Sequence, residues 1–295
     1  MDLELLARLK RLAIIAMFSD DDLMDILVLK GGNLLDAIYA IASRSSMDVD
    51  FSMPGEFSAE ELGLMEAKIR KALTDTFKAE GFTVFDFNFM IRPKKGLSPD
   101  LSDFWGGYRV EFKVIETKRY EQLHNDQHSL RMASISLGKS HEKKFLIDIS
   151  KFEFCASKRE MDLEEGYTIY VYSPEMIVFE KIRAICQQMP EYDVVIPQVG
   201  KSARARDFFD IYTILQRWKI DFMEQENIEL LQNIFAAKRV PLYLIEIIPQ
   251  YREFHRPDFS SVKDTIKADV ELKEFDFYFD YVIDKLVPLK ALWKK

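Results

Sequence analysis

Residues 26–53, ILVLKGGNLLDAIYAIASRSSMDVDFSM, decide how the first half of this chain is read. The apolar run Ile26 to Leu29 has the length of a short strand and ends at Lys30-Gly31-Gly32, where glycine permits a sharp turn. Leu34, Leu35, Ile38 and Tyr39 then recur at helical spacing, so the pattern predicts strand, Gly-Gly turn, helix. Met47 to Met53 alternates with period two, which sends Asp48 and Asp50 to one face of a strand and Met47, Val49 and Phe51 to the other. Two carboxylates side by side, close to a glycine turn that opens a helix, suit a divalent metal and a triphosphate. Mg²⁺ is commonly held by one or two carboxylates plus substrate phosphates, and the backbone N–H groups of Gly31-Gly32 with the helix N-terminus favour an anion.

Outward from this stretch, Leu5, Leu6, Leu9, Leu12, Ala13 and Ala16 form one helical stripe between Leu3 and Met17, followed by an acidic SDDD turn. Ser58 with Glu61 three residues on predicts a capping box, and an amphipathic helix runs from there to about Glu80, before Gly81. Strands are expected at Phe82–Ile91, Tyr108–Glu116 and Phe145–Ile149, the last with a single central acid, Asp148. Three carboxylates on neighbouring strands repel one another when buried without a cation, so a metal site gives Asp48, Asp50 and Asp148 a physical purpose. The polar segment Tyr120 to His141 holds His124, His128 and His141, and the i, i+4 spacing of the first two is that of a helical metal pair. No cysteine or carboxylate constellation accompanies them, so zinc is not the expected metal.

From Ser173-Pro174 onward the pattern is helical almost throughout, with Pro174 suited to a first turn and Glu175 near its positive end. The expected organisation is an α+β domain over 1–172, a mixed sheet with flanking helices, followed by a helical domain over 173–295. No low-complexity linker or internal repeat interrupts it.

Composition excludes several classes. Of 295 residues 48% are apolar and 31% charged, with 11 Gly and 10 Pro, which rules out disordered and collagen-like chains. Lys plus Arg number 41 against 49 acids, and the net charge of −8 disfavours indiscriminate coating of nucleic acid while leaving room for a local basic groove. Two cysteines, Cys155 and Cys186, make neither a disulfide framework nor a zinc site, which fits a reducing compartment. The N-terminal segment lacks the pattern of a signal peptide and no apolar run approaches a membrane span, so a cytoplasmic protein without membrane partners is expected.

A DxD pair alone is weak evidence; its company makes it specific. The string KGG followed by Arg44-Ser45-Ser46-Met47-Asp48-Val49-Asp50-Phe51 resembles the AbiEii/AbiGii nucleotidyltransferase toxins, within the DNA polymerase β-like superfamily. Ser173 to Arg183 resembles that family's lysine-bearing helix, and Lys201 to Ile211 resembles its RDxxD segment. The four motifs stand in the family's order between Lys30 and about Leu215. Asn33 stands where the family commonly has a small hydroxyl residue, and Gly32 where the wider superfamily often has serine, so a backbone contact to phosphate is expected there.

The resemblance implies the nucleotidyltransferase fold and transfer of a nucleoside monophosphate from a nucleoside triphosphate, with Mg²⁺ or Mn²⁺. By it, Asp48, Asp50 and Asp148 are the metal ligands and, with Lys181, the catalytic set. Lys30, Gly31, Gly32, Asn33, Arg44, Ser46, Lys181 and Arg183 hold the nucleotide, Lys181 as a point charge on the triphosphate. Lys201, Arg204 and Arg206, three cations within six positions, with Asp207 and Asp210 form an RNA acceptor surface. The acceptor implied is RNA, most plausibly tRNA, and the role that of a toxin neutralised by an antitoxin protein. Two other readings stand beside it: the same chemistry on a protein or small-molecule acceptor, which the net acidity favours, and a non-catalytic binding module with structural acids. Retention of three strand acids with Lys181 argues against the module.

Overall fold

Apolar periodicity builds the first element as expected. Helix α1 (Leu3–Phe18) buries Leu6, Leu9, Leu12, Ala13 and Ala16 along one stripe. The SDDD segment is more than a turn. Asp20 accepts the Leu23 N–H at 3.2 Å and caps a short helix, α2 (Asp21–Ile26), with Asp21 and Asp22 in its first turn, where the helix dipole favours acids. The following strand β1 is therefore shorter than read, Val28–Lys30. This computed structural model describes residues 3–41, 48–94, 96, 98–124, 126–137, 142–163, 166–197, 200–266 and 271–292.

The remaining strands are β2 (Val49–Ser52), β3 (Phe82–Arg92), β4 (Gly107–Glu116), β5 (Phe145–Ser150), β6 (Arg159–Asp162) and β7 (Thr168–Val171). They join β1 in one mixed sheet of order β3-β4-β5-β2-β1-β7-β6. Between β2 and β3 lies α3 (Leu62–Ala79). The capping box forms one turn ahead of it: Ser58 N–H donates to Glu61 Oε2 (2.8 Å) and Glu61 N–H to Ser58 Oγ (3.2 Å).

Strand alternation separates the two faces of the sheet. Phe51 meets Phe18 of α1 at 5.8 Å between ring centroids, and Phe112 meets Phe77 of α3 at 5.7 Å, so these helices cover one face. The opposite face takes the other half of each strand: Lys30, Asp50, Asp148, and Arg109 with Glu111 and Lys113. At the far end of this face a small helix, α4 (Gln127–Ala133), packs Leu130 against Phe85 and Ile115. A bulge in β3 puts Asp86 at φ 50°, where Arg131 and then Lys113 hold its carboxyl down at about 2.

The chain divides into two compact units, one of residues 1–38 and 46–171 and the other of 39–45 and 172–295. Tyr39 illustrates the assignment: its hydroxyl donates to the Tyr172 carbonyl (2.7 Å) and its ring sits edge-on to Trp218. The second unit is helical. Helix α5 (Pro174–Cys186) begins where Ser173 Oγ accepts the Met176 N–H, with Pro174 at its first position, and is buried along most of its length. Against it pack α6 (Ala205–Arg217) and α7 (Gln225–Ala236), and α8 (Phe275–Leu286) packs on α6, with Phe208 of α6 stacked on Phe279 of α8 at 4.9 Å. The α+β class expected above is what the chain forms: a mixed sheet with flanking helices, then helices. Among the described residues no helix is long and apolar enough to cross a membrane.

Candidate active site

Register, which no single segment encodes, builds the site. On the face opposite α1 and α3, Lys30 of β1 pairs with Asp50 of β2, Asp50 with Asp148 of β5, and Asp148 with Arg109 of β4. Directly opposed residues have Cβ atoms about 4.5–5.5 Å apart, so these four form one row across four strands with charges in the order plus, minus, minus, plus. Arg109 closes the row with a two-pronged contact, Nε to Asp148 Oδ1 and Nη2 to Oδ2, both at 2.7 Å. Asp48 precedes β2, and burial, followed by the charge of Asp148, raises its carboxyl above the ordinary carboxylate value while Arg109 pulls it back.

The glycine turn is fitted to the acids. Gly31 has φ +76°, and a Cβ there would lie 2.4 Å from Asp50 Oδ2, so the Asp50 carboxylate rests against the bare Cα. Gly31–Asn33 are themselves helical, and the turn widens into π-helix over Leu34–Ile38, a shorter helix than the spacing predicts. Gly31→Ala meets both the left-handed backbone and the carboxylate. The expected loss is about 1–3 kcal/mol in thermal unfolding, together with lowered nucleotide transfer because Asp50 must move. Unchanged melting and turnover in this variant would remove the fit between Gly31 and Asp50 from the site.

The structure relocates several residues expected to touch nucleotide. Lys30 is buried, with its ammonium 3.7 Å from Glu153. Asn33, 1% exposed, donates from Nδ2 to the Asp48 carbonyl, which ties the glycine turn to the DxD segment. Arg44 and Ser46 lie outside the described residues. Arg183 is buried on α5, donates to the Ile234 carbonyl (3.2 Å) and lies near Glu180.

Lys181 is also not an open point charge. Its ammonium donates to Asp207 Oδ1 (2.8 Å) and Asp210 Oδ2 (2.7 Å), with the three side chains only 10%, 10% and 4% exposed, so Asp207 and Asp210 are its partners inside the helical unit. The three cations read as an RNA surface are likewise engaged. Lys201 donates to the Met189 carbonyl and Asp193, Arg204 lies 3.7 Å from Asp207 Oδ2, and Arg206 donates to Ser261 Oγ. The spacing was visible in sequence; the intramolecular partners, far along the chain, were not.

Two charged residues at the site escaped the sequence reading. Arg109 was one of three polar residues alternating along β4, with nothing local to distinguish it. Lys10 breaks the apolar stripe of α1, which was the available signal: its ammonium is lowered by burial and pulled back by Asp36 and Asp48. The donor set fits a divalent cation chemically. Asp48 and Asp50 offer hard oxygens, and the raised carboxyl of Asp48 marks negative charge that a cation would relieve. Among the described residues no three His, Cys, Asp or Glu side chains converge on one metal position, so the fit is that of a carboxylate pair completed by phosphates.

Several solved structures resemble the chain, two of which follow. A crystal structure of a candidate nucleotidyltransferase from H. pylori gives a TM-score of 0.48 at 13% identity, over 98% of this chain and 97% of that one. An antigenic nucleotidyltransferase-like protein from Paracoccidioides brasiliensis gives 0.35 at 14% identity, over 78% and 93%. No curated protein matches the chain. Residues 13–281 match the family described as nucleotidyl transferase AbiEii toxin of type IV toxin–antitoxin systems, a span that holds both the sheet row and the Lys181 helix, and the chain belongs to that family.

Proposed function

We propose that this nucleotidyltransferase moves a nucleoside monophosphate from a nucleoside triphosphate onto a hydroxyl of an RNA acceptor, as a metal-dependent toxin. The observation that carries the reading is the Asp50 carboxylate resting on Gly31, in register with Asp148, which sets metal-type oxygens directly against a turn able to take phosphate. Asp48 and Asp50 are the residues that would hold Mg²⁺, which when bound neutralises charge on the reacting phosphate and the departing pyrophosphate. The Gly31-Gly32 backbone receives the triphosphate. The acceptor oxygen attacks the α-phosphorus in line, the bond from phosphorus to the α–β bridging oxygen breaks, and pyrophosphate leaves with its electrons. Asp148 stands one strand from Asp50, where it orients the acceptor hydroxyl or takes its proton. Asn33 and Lys10 support this set indirectly, the first through the Asp48 backbone and the second through charge.

A second reading keeps the chemistry and changes the acceptor to a protein or small molecule. It is favoured by the net charge of −8 and by the engagement of Lys201, Arg204 and Arg206 in contacts within the helical unit. One experiment separates the two. Purified protein is incubated with each α-labelled nucleoside triphosphate, Mg²⁺ and total RNA, and the labelled fraction is identified. Label in RNA supports the first reading, label in protein or a small molecule the second, and failure to release pyrophosphate from any of the triphosphates would sink both.

A further inference from the structure

The transfer reaction gives Arg109 no task, yet Arg109 makes the two-pronged contact of the row. Nε and Nη2 reach both oxygens of Asp148 at 2.7 Å. A carboxylate engaged on both oxygens by a guanidinium has its inner lone pairs occupied, and only the less favourable outer ones are left for a cation. Asp148 is the register partner of Asp50, and its carboxylate is turned to Arg109, so here it stands beside the Asp48–Asp50 pair without joining it. The contact is not sealed. Arg109 and Asp148 are 30% and 28% exposed in their side chains, so water can enter and the guanidinium can change partners at modest cost.

We propose that Arg109 is a positioning residue that holds Asp148 out of the metal site until a triphosphate arrives, then moves its two donors from the carboxylate to phosphate oxygens and frees Asp148 for the cation. The inference rests on the nucleotidyltransfer reading of this site. A guanidinium fork matches carboxylate and phosphate alike, so the exchange replaces one charge-assisted pair of hydrogen bonds with another and breaks no covalent bond. The distance is suitable: β4 lies two strands from β2, about 10 Å by strand spacing, which a side chain as long as arginine and an extended triphosphate can share. The consequence is coupling. Nucleotide tightens metal binding by releasing the third acid, and metal tightens nucleotide binding by the same factor.

Mn²⁺ binding, followed by the electron paramagnetic resonance of the free ion and by thermal shift, tests this with and without a non-hydrolysable nucleoside triphosphate. In the wild type the analogue is expected to raise Mn²⁺ affinity about fivefold or more, the lower range of measured couplings. Arg109→Gln is expected to bind Mn²⁺ without nucleotide about as tightly as the wild type does with it, to gain little from the analogue, and to show a larger Mn²⁺-induced rise in melting temperature. Arg109→Lys, which keeps the charge but not the fork, falls between, and carries the same test if the glutamine variant does not fold. Asp148→Asn is expected to bind weakly in both conditions, without coupling. Wild-type Mn²⁺ affinity and full coupling in Arg109→Gln would overturn the role of Arg109. So would a wild type that binds both ligands independently, and either result leaves the transfer site standing. A wild type that binds Mn²⁺ in neither condition overturns the metal-site reading itself and this inference with it.

Discussion

Asp50→Asn is expected to lower nucleotide transfer by about a thousandfold or more, the scale on which preorganised electrostatic groups act at phosphoryl centres, while the protein keeps its fold. The residue is half-buried at the open face of β2 and is not part of the aromatic core on the other face, so its carboxylate contributes to chemistry more than to packing. Asp48→Asn is expected to act in the same direction on activity, with an informative opposite effect on stability. Burial and Asp148 raise the Asp48 carboxyl in the folded state, so its favourable contribution is present below the unfolded carboxyl value and is lost as pH rises through the folded one. At pH 7 and without metal, Asp48→Asn should therefore melt above the wild type, and the gap should close as the solution is acidified toward the ordinary carboxylate range. Added Mg²⁺ should stabilise the wild type and leave the variant nearly unmoved. A variant that melts below the wild type at pH 7, or that retains turnover, would contradict the assignment of Asp48 to the metal site.

What could be read from the sequence was local. Period-two alternation at Met47–Met53 placed Asp48 and Asp50 on one face, and the same rule placed Asp148 in the centre of its strand, because β-strand geometry leaves a side chain only two directions. The Ser58–Glu61 pair announced its helix because both hydrogen bonds close within three residues. The family resemblance, carried by four short motifs, agrees with the match over residues 13–281. Pairing register was not local. Arg109 meets Asp148 from 39 positions away, and nothing on β4 distinguishes it from Glu111 or Lys113, its neighbours on the same face. Asn33 looked like a loop residue in a phosphate turn and proved to be a strut for the Asp48 backbone, since only the fold brings that carbonyl to it. The partners of the cations were not legible either, because Lys and Arg look alike in sequence whether they face solvent or close a buried pair with an acid far along the chain.

Lys181 is the sharpest case, and its expected result differs from that of a residue waiting for triphosphate. Its ammonium lies between Asp207 and Asp210, three residues apart on α6, which puts both carboxylates on one helical face toward α5. Methionine keeps helix propensity and most of the stem, so Lys181→Met removes little beyond the charge and takes from two buried acids the ammonium that donates to both, with Arg204 left 3.7 Å from Asp207 Oδ2. Breaking a buried pair in this way costs about 3–5 kcal/mol, and for a unit of this size the melting temperature should fall by roughly 10 °C or more. Pairing Lys181→Met with Asp210→Leu should recover part of the loss, since one unpaired charge is then replaced by apolar volume. Scanning calorimetry at pH 7 checks the stability, and triphosphate titration at a temperature where the variant is folded checks the function. A Lys181→Met protein that melts with the wild type and fails to bind triphosphate would show the lysine working on substrate. Wild-type affinity in a destabilised protein would fix it as the pin between α5 and α6.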